Sequence, residues 1–281
     1  MSRPVIIMAA PNGAHKTRRD HPALPITLQQ TVDEAVVCRA SGASMLHAHV
    51  RDQWQQHSLD SNLYLTLFSE LKNHTPDLLL QMTTESAGKF SPEQQVNSAR
   101  EVKPEFLTMA VREIASEDSQ LEFARQFYHW AFESHIHVQH IVFDQDDLTR
   151  FWRLHKSGII PEPEPCLLYV LGRYNRDFHS TPEDLKPFLD VAPNTTHSFF
   201  VCAFGRQEFD CAVAAIEAGG HARIGFENNL YRKDGSVADN TADNISELAD
   251  AINQMGYGVA TPEQARRILH PNVDYPEVTG N

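Results

Sequence analysis

The chain has 281 residues, a formal net charge of −13 at pH 7 and a pI near 5.5. This acidic balance argues against a nucleic-acid partner, because such partners require a basic face, and no stretch reaches the roughly 20 apolar residues of a membrane span. The N-terminal residues pass directly into a predicted strand without a cleavable signal, so we expect a cytoplasmic protein that acts on a small molecule.

Short apolar runs alternate with amphipathic stretches along the whole chain, which is typical of βα units around a parallel sheet. The pattern predicts strands at residues 5–10, 44–50, 78–84, 105–111, 137–143, 166–171, 197–203 and 221–226. It predicts helices at residues 28–41, 59–73, 92–102, 119–133, 146–156, 182–189, 206–218 and 245–255. Eight of each indicate an α/β fold of the (β/α)8 TIM-barrel type, with a single catalytic domain over residues 1–281.

The four cysteines indicate neither a disulfide framework nor a zinc ribbon. Cys38, Cys166, Cys202 and Cys211 lie in apolar surroundings, and no two of them form a Cys-x-x-Cys pair. This spacing predicts buried thiols.

Two histidines stand at the end of the second predicted strand, within residues 45–52. Side chains two apart on a strand point to the same face, so His47 and His49 present their imidazoles to one point in space. The active sites of (β/α)8 enzymes gather at the carboxyl ends of the strands. The pair therefore indicates half of a metal site, although paired imidazoles on a strand can equally be polar lining or core residues.

Polar residues also follow three other predicted strands, at residues 11–15, 83–86 and 223–229. If the strands close into a barrel, these segments open on the same rim, even though they are far apart in sequence. Glu227 is then the natural third ligand, because the eighth strand adjoins the first and the second comes next. Catalytic zinc takes imidazole nitrogens and a carboxylate and keeps one position open. The alternative for Glu227 is a surface carboxylate.

These segments resemble the β-keto acid cleavage enzymes, the family that includes 3-keto-5-aminohexanoate cleavage enzyme. The shared motifs lie at residues 12–14, 21–27, 40–51, 81–84, 142–144, 205–207, 219–229 and 260–266. The resemblance covers essentially the whole chain. The His-x-His motif followed by the Gly-Phe-Glu motif is its most specific feature.

The resemblance implies a zinc-bearing barrel, usually a homotetramer, that converts a β-keto acid and acetyl-CoA into acetoacetate and a new acyl-CoA. The implied metal ligands are His47, His49 and Glu227, and a divalent metal other than zinc stays open. The family's catalytic positions transfer to Arg223, Thr83 and Asn228. Because the pKa of arginine stays above about 12, we interpret Arg223 as an electrostatic partner of a carboxylate or enolate, with a structural ion pair as the alternative.

Two departures from the family pattern concern the reaction itself. The aminohexanoate enzyme has a glutamate that meets the substrate ammonium at the position where this chain has His15, so we do not expect an ammonium substrate. The family motif usually ends Glu-Asp-Asn, but this chain has Glu227-Asn228-Asn229. An amide cannot take a proton or fix an arginine charge as a carboxylate does, so the sequence does not support the family's acid–base assistance at position 228.

A third departure concerns the substrate. Charged residues replace small segments of the family after the third and fourth predicted strands. We hypothesise that Arg112 pairs with a distal carboxylate of the substrate, or that Glu113 binds a cation. The predicted substrate-binding residues are His15, Thr84, Glu85, Ser86, Arg112 and Glu113.

Two other functions stay open from the sequence. A metal-dependent hydrolase of the amidohydrolase kind also uses a His-x-His strand, but that family places the pair after the first strand and has a bridging lysine on the fourth. This sequence has neither. A non-catalytic, ligand-binding relative is compatible with Asn228. Acetyl-CoA-dependent formation of acetoacetate distinguishes the enzyme from both.

Overall fold

The structure is a computed structural model that describes residues 2–174, 177, 179–191 and 197–270. Its strands are β1 (Pro4–Val5), β2 (Ile7–Ala9), β3 (Met45–Ala48), β4 (Val50–Arg51), β5 (His57–Ser58), β6 (Leu79–Met82), β7 (Phe106–Ala110), β8 (His137–Val142), β9 (Cys166–Leu171), β10 (Ser198–Ala203), β11 (His221–Ile224) and β12 (Gly258–Val259). Its helices are α1 (Leu28–Ala40), α2 (Ser61–His74), α3 (Pro92–Val102), α4 (Val111–Ile114), α5 (Leu121–Glu133), α6 (Gln145–Lys156), α7 (Lys186–Val191), α8 (Glu208–Glu217), α9 (Thr241–Gln254) and α10 (Pro262–Leu269).

Eight parallel strands close into a barrel in the order β10-β11-β2-β3-β6-β7-β8-β9. The (β/α)8 prediction is therefore confirmed, and each predicted strand has a counterpart in the barrel. The barrel places β11 beside β2, with Arg223 opposite Met8, and β3 next, with Met8 opposite Met45. The ends of β3 and β11 are thus separated only by β2.

The sequence pattern missed four short strands and two short helices. β1 pairs with β12 in a parallel two-stranded sheet, and β4 pairs with β5 in an antiparallel hairpin. Each of these strands has two residues, too few for an alternation of apolar and polar side chains to be visible. The helices α4 and α10 were also missed, and α10 ends near the end of the described chain.

Side-chain caps explain most helix boundaries. Thr27 begins α1 by a capping box with Gln30, as Ser91 does for α3 with Gln94. The sequence predicts a helix from residue 245, but α9 already begins at Thr241. It begins there because the side chain of Asn240 accepts a hydrogen bond from the backbone of Asp243. Among the described helices, none has the length and apolar character needed to cross a membrane.

The strand period determines which side chains face the barrel interior. On β3, Leu46 and Ala48 belong to the core between the barrel and the helices, whereas Met45 belongs to the core inside the barrel. His47 therefore lies on the inner face, like Met45. The four cysteines are free and buried, as predicted.

A buried acid and imidazole lie outside the barrel, where His140 Nε2 is 3.7 Å from Glu162 Oε1. Burial raises the pKa of Glu162 to about 7 from 4.5 and lowers the pKa of His140 to about 3. The folded protein thus keeps a proton on Glu162 that the unfolded chain releases as the pH rises above about 4.5. This carboxyl group therefore destabilises the fold increasingly between those two pKa values.

Glu162→Gln removes that proton linkage. We expect the free energy of unfolding of this variant, relative to the parent, to increase by about 3 kcal/mol between pH 5 and pH 8. Urea unfolding of both proteins at the two pH values measures this difference. An equal difference at pH 5 and pH 8 would contradict the assigned protonation of Glu162.

Candidate metal centre and active site

The three predicted metal ligands meet at the carboxyl rim of the barrel. His47 Nε2 is 3.2 Å from His49 Nε2 and 3.8 Å from Glu227 Oε2, and His49 Nε2 is 3.5 Å from Glu227 Oε1. Tetrahedral zinc with bonds of about 2.0–2.1 Å separates its ligand atoms by about 3.3 Å. Within the described part of the chain, this trio is the one group of His, Cys, Asp or Glu residues with a geometry suited to a metal ion.

A chain of amides across the barrel interior sets the tautomer of His47. Gln81 Nε2 donates to Gln139 Oε1 at 3.2 Å, so the oxygen of Gln81 faces His47 Nδ1 at 2.8 Å. This oxygen can only accept, so the proton of His47 lies on Nδ1. Burial, together with the positive charge of Arg223, lowers the pKa of His47 to about 3. The imidazole is therefore neutral, and its Nε2 presents a lone pair to the centre.

His57, on the β4–β5 hairpin, sets the tautomer of His49 in the same way. His57 Nε2 donates to the backbone carbonyl of Glu85 at 2.9 Å, because a carbonyl can only accept. Burial lowers the pKa of His57 to about 4, so its Nδ1 carries a lone pair. His49 Nδ1 lies 3.4 Å from that nitrogen and donates to it. The Nε2 of His49 is then also left with a lone pair.

The resulting arrangement fits a divalent cation. The lone pairs of His47 and His49 face each other across 3.2 Å, which is repulsive unless a positive charge lies between them. Glu227 Oε2 is buried and has no hydrogen-bond partner among the described residues. Although burial acts against ionisation, the guanidinium of Arg223 holds the pKa of Glu227 well below its usual range. Two neutral imidazoles and a carboxylate are the ligands of many catalytic zinc sites.

Two glycines allow the backbone to bring Glu227 to the histidines. Gly225 has φ +140°, and a Cβ there would lie 2.6 Å from the carbonyl oxygen of Ala10 on the neighbouring chain segment. A Cβ on Gly13 would lie 2.5 Å from Glu227 Cγ. The backbone of Glu227 also donates to Ala10 at 3.0 Å. The loop after β2 therefore packs directly against the turn that carries Glu227, and a side chain at either glycine would displace that turn.

Arg223 and Thr83, the predicted catalytic residues, both lie beside the metal trio. Arg223 is buried, and its Nη2 is 3.2 Å from Glu227 Oε1. Thr83 is also buried, and its hydroxyl oxygen accepts a hydrogen bond from the backbone of Glu85 at 3.1 Å. Both line a small cavity with His47 and Glu227. The structure thus places a fixed positive charge and a hydroxyl donor at the same end of the barrel.

A second, wider cavity of about 830 Å³ opens beside the small one. The two cavities share four lining residues, Glu85, Arg173, Phe204 and Glu227. Lys16 and Arg206 bring further positive charge to the wide cavity. Its size lies in the range of about 300–1,000 Å³ that is common for small-molecule sites.

Glu85 lies between the two cavities and close to the metal ligands. Its Oε2 is 3.9 Å from His49 Nε2, and its Oε1 is 3.4 Å from the guanidinium of Arg173 and 3.6 Å from His15 Nε2. Burial acts to raise the pKa of Glu85, but the contact with His15 and the positive charge of Arg173 lower it below its usual range. The rim therefore carries a second ionised carboxylate, which sequence analysis placed among the substrate-binding residues.

Three of the predicted substrate-binding residues line neither cavity. The hydroxyl of Thr84 donates to the carbonyl of Thr108 at 2.6 Å, and that of Ser86 donates to Glu113 at 2.7 Å. Arg112 is held by two carboxylates, with Asp147 at 2.8 Å and Asp144 as its second partner. Glu113, in contrast, does line the small cavity, and burial raises its pKa.

Asn228 lines the wide cavity, and its amide is held from behind. Its Nδ2 donates to Glu208 Oε1 at 3.1 Å and to the carbonyl of Arg223 at 3.2 Å. Burial raises the pKa of Glu208, whereas the three hydrogen bonds that its oxygens accept from Gly225, Asn228 and Asn229 stabilise the ionised form. Sequence analysis singled out neither Glu208 nor His57. Because Asp210 lies in the same first turn of α8, the sequence offered no signal that distinguishes Glu208.

Comparison with known proteins finds similar sequences over nearly the whole chain. A family model described as beta-keto acid cleavage enzyme matches residues 4–270. A 3-keto-5-aminohexanoate cleavage enzyme of Acetoanaerobium sticklandii is 29% identical over 274 residues, which cover 94% of this chain and 97% of the relative. A 3-oxoadipate:acetyl-CoA acetyltransferase of Cupriavidus necator is 24% identical over 280 residues, covering 96% and 95%.

The structural comparison supports the fold. The apo structure of ObcA superposes with a TM-score of 0.72 at 14% sequence identity. The match covers 88% of this chain and 65% of that one. At this identity the likeness concerns the barrel alone.

The role of His57 is testable without an activity assay. His57→Phe keeps an aromatic ring against Phe90 but removes the acceptor for His49 Nδ1. We expect zinc affinity, measured by competition with a chromogenic chelator, to fall about 10- to 100-fold. His74→Phe on the surface of α2 is the matched control and should bind zinc like the parent. Unchanged affinity of His57→Phe would contradict the assigned tautomers.

Proposed function

The chain belongs to the β-keto acid cleavage enzyme family, and on that premise we propose that it cleaves a β-keto acid with acetyl-CoA as co-substrate. The products would be acetoacetate and a new acyl-CoA. The observation that carries the proposal is the convergence of His47, His49 and Glu227 on one point beside Arg223. We also propose zinc as the metal and, from the family resemblance, a cytoplasmic homotetramer built from single-domain subunits.

The metal would be held by His47, His49 and Glu227. When bound, a divalent ion supplies Lewis-acid stabilisation of negative charge on the oxygens of a β-keto acid. The pair of tautomers set by Gln81 and His57 keeps both imidazoles ready to bind it without loss of a proton.

Arg223 and Thr83 would act on the substrate from the wall of the small cavity. Because arginine keeps its proton at any working pH, Arg223 would contribute a permanent positive charge for a carboxylate or a developing enolate. Burial strengthens such a charge, since little water screens it. The hydroxyl oxygen of Thr83 already accepts from the backbone of Glu85, so its hydrogen is available to donate to a substrate oxygen.

Asn228 would not exchange protons with the substrate; its role would be to shape the wide cavity. The amide nitrogen of Asn228 donates to Glu208 and to the carbonyl of Arg223. Both acceptors lie behind the turn, so the side chain is fixed. A neutral amide has no proton to give at physiological pH. We therefore assign Asn228 to the shape of the wide cavity.

Acetyl-CoA would occupy the wide cavity, whose volume suits a long co-substrate and whose basic side chains could meet its phosphates, beside the carboxylates of Asp20, Glu85, Asp177 and Glu227. Lys16, Arg173 and Arg206 line it. Arg206 also stacks on Tyr231, 3.6 Å from the ring centroid, which holds its guanidinium in place. The keto acid would lie in the small cavity, so that the two substrates meet near Glu227, which lines both.

The direct experiment is a coupled assay of the zinc-loaded protein with acetyl-CoA and a panel of β-keto acids. We expect acetoacetate to form only when acetyl-CoA is present, and a chelator to abolish its formation until zinc is restored. Acetyl-CoA-independent hydrolysis would instead favour the metal-dependent hydrolase. Binding of zinc and ligand without turnover across the panel would favour a non-catalytic relative.

Glu113 and Arg112 are the two candidates for recognition of the far end of the substrate. A distal carboxylate could reach Arg112 only if the pairs with Asp144 and Asp147 were disrupted, so Glu113 is the better candidate for recognition. We expect Glu113→Gln to lower kcat/KM at least tenfold on amino β-keto acids relative to neutral ones.

Arg112→Gln is the matched control, because it also removes one charge from the same short helix. It should leave the ratio of kcat/KM between amino, neutral and dicarboxylic substrates unchanged. Equal losses on all three substrate classes in Glu113→Gln would refute a role for Glu113 in recognition.

A further inference from the structure

Glu208 is a buried carboxylate that the proposed reaction does not use. It is the first residue of α8, and only 2% of its surface is exposed. It lines neither cavity at the rim, but it lies beneath the turn at residues 225–229, which carries Glu227. An ionisable side chain buried to this extent is costly unless its oxygens are satisfied by hydrogen bonds.

Glu208 accepts hydrogen bonds from residues on both sides of Glu227 in the sequence. Its Oε1 accepts from the backbone of Gly225 at 3.0 Å and from Asn228 Nδ2 at 3.1 Å. Its Oε2 accepts from Asn229 Nδ2 at 3.4 Å. One donor therefore precedes Glu227 in the sequence and two follow it. Together they fix the backbone on both sides of that residue.

The opposite side of the turn is fixed by the barrel itself. The backbone of Glu227 donates to the carbonyl of Ala10 at 3.0 Å, and Gly225 fits against the same carbonyl. The turn is thus held between the segment after β2 and the carboxylate of Glu208. Only the second of these contacts depends on a side chain that substitution can alter without disturbing the barrel strands.

We propose that Glu208 is a positioning residue for the metal ligand Glu227. This inference rests on the metal site of the proposed function. Three donors converge on two oxygens, an arrangement that a carboxylate satisfies and an amide does not. In Glu208→Gln, one amide N–H would face a donor of the turn, and the turn would shift.

The test uses Glu208→Gln and the matched control Glu34→Gln. Glu34 is a second buried carboxylate, on α1, that accepts from the backbone of Thr241 at 2.8 Å and lines neither cavity. We expect the two variants to lose melting temperature to a similar extent. Zinc affinity, measured by chelator competition, should fall about 10- to 100-fold in Glu208→Gln only.

The outcomes also separate this inference from the proposed function. Equal zinc affinity in the parent and in Glu208→Gln would overturn the positioning role alone. A parent protein with no affinity for zinc or another divalent ion would overturn both. Equal losses of affinity in Glu208→Gln and Glu34→Gln would reduce Glu208 to a stabilising residue and would also overturn the inference.

Discussion

Two neutral imidazoles point their lone pairs at each other beside an ionised carboxylate, and the architecture of the active site depends on this contact. His47 Nε2 and His49 Nε2 are 3.2 Å apart, and Glu227 lies within 3.8 Å of both. Such a cluster of electron-pair donors is unfavourable in a buried site unless a cation joins it. The fold maintains it by fixing each donor separately, through Gln81, through His57 and through the packed turn that carries Glu227.

The fixing residues come from parts of the chain that are far apart in sequence. Gln81 lies on β6, and its amide continues to Gln139 on β8. His57 lies on the β4–β5 hairpin at the rim of the barrel. Its hydrogen bond to the backbone carbonyl of Glu85 holds this hairpin in position. Glu208 lies on α8. Closure of the barrel is what brings these elements together, so the integrity of the fold and the competence of the metal site are linked.

The sequence was sufficient for the barrel and for the convergence of His47, His49 and Glu227. A period of two places His47 on the inner face of its strand, and the adjacency of the first and last strands in a closed barrel brings Glu227 to the histidines. It was not sufficient for the residues that act through hydrogen bonds. His57 lies in a two-residue strand without a visible period, and Glu208 shares the first turn of its helix with a second acid, Asp210, so no pattern singles it out. Their roles depend on contacts of high sequence separation.

The sequence also could not distinguish the directions of neighbouring rim side chains. Thr83 and Thr84 are adjacent, yet the hydroxyl of Thr84 turns to the carbonyl of Thr108, away from the cavities. Arg112 is satisfied by Asp144 and Asp147, which follow a different strand and were not recognised as its partners. Alternation at strand ends stops once the backbone leaves the sheet, so the period that orders β3 gives no guidance in the loops.

The central claim is that His47, His49 and Glu227 coordinate one ion. X-ray absorption spectroscopy of the protein loaded with one equivalent of zinc tests this claim most directly. The spectrum should show two imidazole nitrogens at about 2.0–2.1 Å together with carboxylate or water oxygens. A first shell that contains sulfur, or one made of oxygens without imidazole, would place the ion elsewhere and contradict the account.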